Sequence, residues 1–280
     1  AVGFVSRGVV GSGALLMSGG ELLVKQSGVF DSFVGELQLS SVTLNISSPL
    51  TLPPQLGVIL QGSTVTGSTD LIVNGSMSIT FGNYWWEQSS TLESTLGPFA
   101  QRPRLVVNGR LAMEAGTTTY FQGRDLFVAR GGTVELATVQ LSSSAVLEND
   151  GQLLFDESSA YVSTSDYNSD SKPFFINRGL LNCTSGSLQI SATALNLGQF
   201  DLSPACSLQV SRLLNASTGA VHKAHGAQAS ITYLPAAATF NAPVFKWAHA
   251  VNGDWNDASK WQPAAVPTAG SSVRIVVAGA

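Results

Sequence analysis

The chain has 280 residues, 44% of them hydrophobic and only 11% charged, where an average soluble domain carries roughly 25% charged residues. Its 14 Lys and Arg against 18 Asp and Glu give a net charge of −4, with no basic block to follow a phosphate backbone, so nucleic-acid binding is disfavoured. The longest apolar stretch, Ala1 to Met17, is broken by Arg7 and several glycines and falls short of the roughly 18 clean apolar residues of a membrane helix.

The first residues carry no initiator Met, basic leader or cleavage motif, and the last run into the strand-like Val273-Arg274-Ile275-Val276-Val277. This reads as a segment of a longer protein. Between the ends, long 3.6-residue apolar periodicity is missing. Short alternating runs punctuated by Gly and Asn recur instead, which predicts an all-β chain. Each turn glycine acts as an anchor, with apolar residues two and four places later. Gly20 leads to Leu22 and Val24, Gly35 to Leu37 and Leu39, Gly75 to Met77 and Ile79, and Gly109 to Leu111 and Met113. Gly132 leads to Val134 and Leu136, Gly151 to Leu153 and Phe155, Gly179 to Leu181 and Cys183, and Gly198 to Phe200 and Leu202. Asn or Asp precedes the glycine in Asn74-Gly75, Asn108-Gly109 and Asp150-Gly151, a pairing that suits the positive φ of a tight turn.

The anchors are 19 apart from 132 to 151 and from 179 to 198, and 21 apart from 198 to 219. Ser187-Leu188-Gln189-Ile190-Ser191 also returns as Ser207-Leu208-Gln209-Val210-Ser211. A period of about 19–21 residues made of short strands predicts a right-handed parallel β-helix, or solenoid, over residues 1–240. The inward residues of successive coils stack, and outward positions need only tolerate water, so Ser, Thr and Gln stand where charges otherwise would. A leucine-rich repeat has a similar period, but its Leu-x-x-Leu-x-Leu-x-x-Asn consensus is missing.

Two gaps exceed the period, 75 to 109 and 151 to 179. The excess falls near 84–104 and 158–173, where alternation is lost, so these read as inserted loops. The first insert opens with Tyr84-Trp85-Trp86-Glu87. Exposed rings beside an acid make a glycan or partner contact, and the competing reading packs the rings against the outside of the stack. The second insert holds Ser165-Asp166-Tyr167-Asn168-Ser169-Asp170, oxygen-rich but without the EF-hand pattern, and reads as a solvated loop.

Four glycosylation acceptors occur, Asn45, Asn74, Asn182 and Asn215, which matter only in a secretory pathway. Strand parity turns Asn45 and Asn182 outward. Cys183 and Cys206 both follow inward parity, and the repeat aligns Cys206 with Gly186. A disulfide between them requires a corner between 183 and 186, and buried thiols are the alternative. His222 and His225 form a His-x-x-His without an evident third ligand, so no metal site is expected. Adjacent Asp156 and Glu157 point to opposite faces of a strand and cannot act as a facing pair. No Gly-x-Ser-x-Gly elbow, phosphate loop or dinucleotide fingerprint occurs, and no cofactor is expected.

From residue 241 the repeat gives way to Phe245-Lys246-Trp247, Gly253-Asp254-Trp255-Asn256-Asp257, Lys260-Trp261, Val266-Pro267 and Gly270. This series resembles the tryptophan-rich opening of large extracellular β-helix proteins. It is also similar to the start of the eight-glycine module of polycystic-kidney and cell-surface hyaluronidase-type proteins. Upstream, the Asn-Gly coils resemble those of surface adhesins and autotransporter passengers. The resemblance implies that residues 241–280, with Trp247, Trp255 and Trp261, cap the stack or begin the next module, and that the protein is extracellular or on a cell surface. None of those families' catalytic residues can be placed on this chain. The expected function is a non-catalytic structural or adhesive segment, in a filament or surface array, with neighbouring modules, copies of the same protein or glycans as partners. The alternative is a carbohydrate-binding or polysaccharide-processing β-helix protein.

Overall fold

The computed structural model describes residues 10–80, 83–87, 102–142, 145–155, 159–164, 174–216, 218–233, 245–247, 261–262 and 273–274. All regular structure among them is β, and parallel strands stack in about nine turns of a solenoid. The chain divides into two compact units. The first comprises residues 1–167 and 173–234, and the second residues 168–172 and 235–280.

Each coil of the first unit lays down strands on three faces. Face one runs from Gly11–Ser18 through Phe33–Ser40, Leu56–Gln61, Ser76–Thr80, Arg110–Met113, Thr133–Glu135 and Gln152–Phe155 to Ala220–Lys223. Face two begins at Glu21–Val24 and includes Thr43–Ile46, Thr64–Gly67, Asn83–Glu87, Thr118–Gln122, Thr138–Ser142, Ser159–Thr164 and Gln228–Tyr233. Face three includes Leu50–Leu52, Leu71–Val73, Arg104–Val107, Asp125–Val128, Leu147–Asn149 and Phe175–Asn177. The two 17-residue strands Leu180–Asn196 and Gln199–Asn215 each wind across all three faces, with register shifts at their corners.

The anchor rule fixes the core. Leu111, Val134, Leu153, Leu181 and Phe200 are consecutive register partners and fully buried. Met113, Leu136, Phe155, Cys183 and Leu202 are buried beside them. Seven of the eight anchors serve face one. The eighth, Gly20, serves face two, where Leu22 pairs with Leu44.

The anchor glycines are not the positive-φ residues their turns suggest: 75, 109, 132, 151, 179 and 198 are all missing from the glycines with positive φ. Their requirement is close approach. A Cβ on Gly109 would collide with the carbonyl oxygen of Gly75, one on Gly179 with that of Gly151, and one on Gly198 with that of Gly179. Each of these carbonyls accepts from the residue after the next anchor, as in Arg110 N to Gly75 O at 3.0 Å and Leu180 N to Gly151 O at 2.9 Å. A side chain there would push neighbouring coils apart and break the ladder.

Both inserts are shorter than the sequence spacing implies. Asn83–Glu87 is a regular rung of face two, with Trp86 in register with Val65 and Phe121. The chain departs from the stack only between residues 87 and 102. Likewise Ser159–Thr164 is a rung, with Val162 paired to Val139 and Ile190, and the second departure lies between 164 and 174. Both departures occupy the same corner, where face two passes to face three.

In the second unit, Phe245–Trp247 pairs antiparallel with Trp261–Gln262 and parallel with Val273–Arg274. Trp247 and Trp261 are direct cross-strand neighbours. Trp255 lies outside the described residues, as do Asp156, Glu157 and the oxygen-rich run 165–170.

Candidate functional site

On face three the alternation Asp70-Leu71-Ile72-Val73, Arg104-Leu105-Val106-Val107 and Asp125-Leu126-Phe127-Val128 buries each second and fourth residue. The charged first residues therefore form one outward row, and Ile72, Val106 and Phe127 form another. Arg104 sits between two carboxylates of neighbouring coils. Its backbone N donates to Asp70 Oδ1 at 2.8 Å, its Nη2 lies 3.6 Å from Asp70 Oδ2, and its guanidinium carbon is 5.6 Å from the centre of the Phe127 ring, within cation–π range. Further along, Arg178 Nη1 bridges Glu148 Oε2 and Asp150 Oδ1, each at 3.1 Å. The apolar row continues through Glu148 to Ile176 and Leu195. These two are 6% and 7% exposed and do not belong to the interior cluster. That end of the wall is already covered, so the candidate surface is the stretch from Asp70 to Glu148.

Two ionisable groups here are perturbed. The Asp125 carboxyl is pushed up to about 6, chiefly by burial. The Val146 amide, which donates to Asp125 Oδ1 at 2.9 Å, Arg102 and Arg104 oppose the shift, while Glu148 adds to it. Arg124 is fully buried at the face-two to face-three corner and points inward. Burial lowers it to about 10, offset by Asp70 and Asp125, so it stays charged at neutral pH. Its Nη2 donates to Gly67 O at 3.0 Å and its Nη1 to Thr69 O at 2.9 Å. Both acceptors lie two coils away, and the coil between them is the one whose corner departs after residue 87. Arg124 thus reaches past the level of the first insert and ties the corners on either side together.

The most ordered polar feature is an asparagine ladder. One inward column of face three reads Leu52, Val73, Val107, Val128, Asn149, Asn177, Asn196 and Asn215. Asn149 Nδ2 donates to Asn177 Oδ1 at 2.7 Å, and Asn177 Nδ2 donates to Asn196 Oδ1 at 2.8 Å. Further bonds run from Asn149 to Leu180 O, from Asn177 to Gly179 O and Gln199 O, and from Asn196 to Ala220 O. All three side chains are fully buried, and the shared bonds are what make that burial tolerable.

The residues singled out in the sequence fall as follows. Trp86 is a core residue, completely buried and stacked on Phe121 with ring centres 5.7 Å apart. This corrects its reading as a contact residue: the strand continues through it and inward parity carries the ring into the solenoid, not onto its outside. Tyr84, Trp85 and Glu87 share that strand. Asn45 is half-buried, and its Nδ2 donates to Glu21 Oε1 at 2.9 Å. Asn74 Oδ1 accepts from Asn108 Nδ2 at 2.8 Å. Asn182 is half-buried on the outer side of face one, between Leu154 and Asp201. Asn215 continues the register of the buried ladder. Cys183 and Cys206 are joined in a disulfide with Cα atoms 5.9 Å apart. The corner that this requires is present, with a register shift between Cys183 and Ser185 and a positive φ at Gly186. His222 Nδ1 lies 3.2 Å from Asp201 Oδ1 at the surface, and among the described residues no group of three His, Cys, Asp or Glu is placed to hold a metal ion.

Comparisons of the chain with protein-family models, with curated proteins and with solved structures find no match.

Proposed function

We propose that the chain is a non-catalytic structural or adhesive segment of a secreted or cell-surface protein, its coils forming a stiff spacer that presents the face-two to face-three corner. The observation that carries this reading is how the polar groups are used. The buried Asn149–Asn177–Asn196 ladder, Arg124 and the Arg178 bridge are all engaged in holding coil to coil, and Arg104 covers the ring of Phe127 that a sugar would stack on. The Cys183–Cys206 disulfide supports an oxidising compartment, as do the acceptor sequences at Asn45 and Asn182. The likeness of the 245–270 series to extracellular β-helix modules points the same way. Incubation of the purified chain with a panel of polysaccharides should release no new reducing ends.

A second reading, polysaccharide binding or processing, draws on one observation. Asp125, with its raised pKa, lies beside Glu148 on the outward wall of face three, the polarity of an acid and base pair. Release of reducing ends that is lost in Asp125→Asn would replace the first reading by this one.

A further inference from the structure

We propose that Gly11–Ser18 is a docking edge for a second copy of this chain, two copies joining N-terminal end to N-terminal end in a closed pair. The inference holds under either functional reading. Among the described residues this eight-residue strand pairs on one side only, with Phe33–Ser40. It contains no charged residue and no proline, the devices by which sheet edges usually prevent pairing. Exposed apolar side chains gather here: Val10 is 78%, Leu16 68% and Val34 52% exposed. The inward Leu15 and Met17 are only partly buried against the core, so the interior itself opens at this end.

The glycines indicate what fits. Gly35 and Gly67 have φ of 141° and 121°, and at each a Cβ would collide with a carbonyl oxygen of the preceding coil, that of Gly13 or of Ile46. Gly11 and Gly13 adopt the same conformation, with φ of 137° and 128°, yet nothing lies within 4 Å of where their Cβ would be. Two residues thus hold the shape that admits a neighbouring backbone, with the neighbour's place vacant. A polypeptide strand fills such a place; a small molecule makes no demand for glycine.

The other end of the stack identifies the partner. The core column that begins at Met17 and runs through Leu39, Leu60 and Ile79 continues through Cys183 and Leu202 to Lys223, which is exposed. A lysine in a core column blocks continuation, because a further coil would have to bury its charge. The C-terminal edge therefore makes a poor mate for the N-terminal one. The edge that matches Gly11–Ser18 is its own copy, which meets it without like-charge repulsion. Such an isologous contact closes at two.

The test is sedimentation velocity of residues 1–280 over a concentration series. The expected result is a monomer–dimer equilibrium with nothing larger. Met17→Lys, which reproduces at the open end the lysine that ends the same column, should abolish the dimer, as should the surface change Leu16→Lys, with far-UV circular dichroism unchanged. Lys223→Leu should keep the dimer and add larger species. A wild-type chain that is monomeric at every concentration would overturn the proposal. So would wild-type species larger than a dimer, or a folded Leu16→Lys variant that dimerises as before.

Discussion

Replacing Asn177 by valine perturbs the ladder at its centre. The change removes the bond accepted from Asn149 and the bond donated to Asn196, at about 1 kcal/mol net each. Asn149 keeps Leu180 O as an acceptor, but Asn196 Oδ1 loses its Asn177 donor, for about 1–3 kcal/mol more. The single variant should therefore lose about 3–5 kcal/mol. The same column is valine at 73, 107 and 128, so the surrounding coils accept valine sterically. Changing Asn149, Asn177 and Asn196 to valine together extends the valine column and leaves no ladder amide stranded. That triple variant should lie within about 2 kcal/mol of the wild type, because removing both partners of a buried bond costs far less than removing one. Urea unfolding of the wild type, the single and the triple variant measures the difference. A triple variant about three times as destabilised as the single would refute the argument that the cost lies in orphaned partners.

Three other expectations follow from the same coordinates. Removing the disulfide by Cys183→Ala with Cys206→Ala releases a loop of sequence separation 23 and should cost about 3 kcal/mol, read from denaturant midpoints, with reductant lowering the midpoint of the wild type only. The raised pKa of Asp125 means that its folded form prefers the neutral carboxyl. Its contribution is fully present below pH about 4 and is lost as pH rises through about 6, so Asp125→Asn should stabilise the protein at pH 8 by up to about 2 kcal/mol and leave it unchanged at pH 4 in thermal melts. Trp86→Ala empties a buried site against Phe121 and should cost about 3–5 kcal/mol, whereas a surface ring would cost almost nothing on unfolding.

The core was legible because one offset rule, apolar at two and four places past a glycine, reports inward parity whatever the face. The rule does not name the face, and so Gly20 joined a set to which it does not belong. The ladder was equally present in the sequence: Asn149, Asn177 and Asn196 each stand two places before an anchor glycine. Asn near Gly reads as turn chemistry, and only register with the next coil shows the amides inward and bonded to one another. Asp70, Arg104 and Asp125 are 34 and 21 residues apart, an irregular spacing that hides a row of adjacent rungs. The inserts were drawn too wide because Tyr84-Trp85-Trp86 and Ser159–Thr164 interrupt the expected composition without interrupting the strand.

The shared corner of the two departures separates chain length from coil register. Residues 87 and 102 are carried by strands whose neighbours fix them in the ladder, and the count of residues between them is invisible to the coils above and below, apart from the span bridged by Arg124. Lengthening such a loop costs only about 0.6 kcal/mol per doubling of its length, while a single residue added within a face would turn a core column outward. The corner is thus the place where this scaffold can gain, lose or exchange sequence and still present it from the same edge of the same wall.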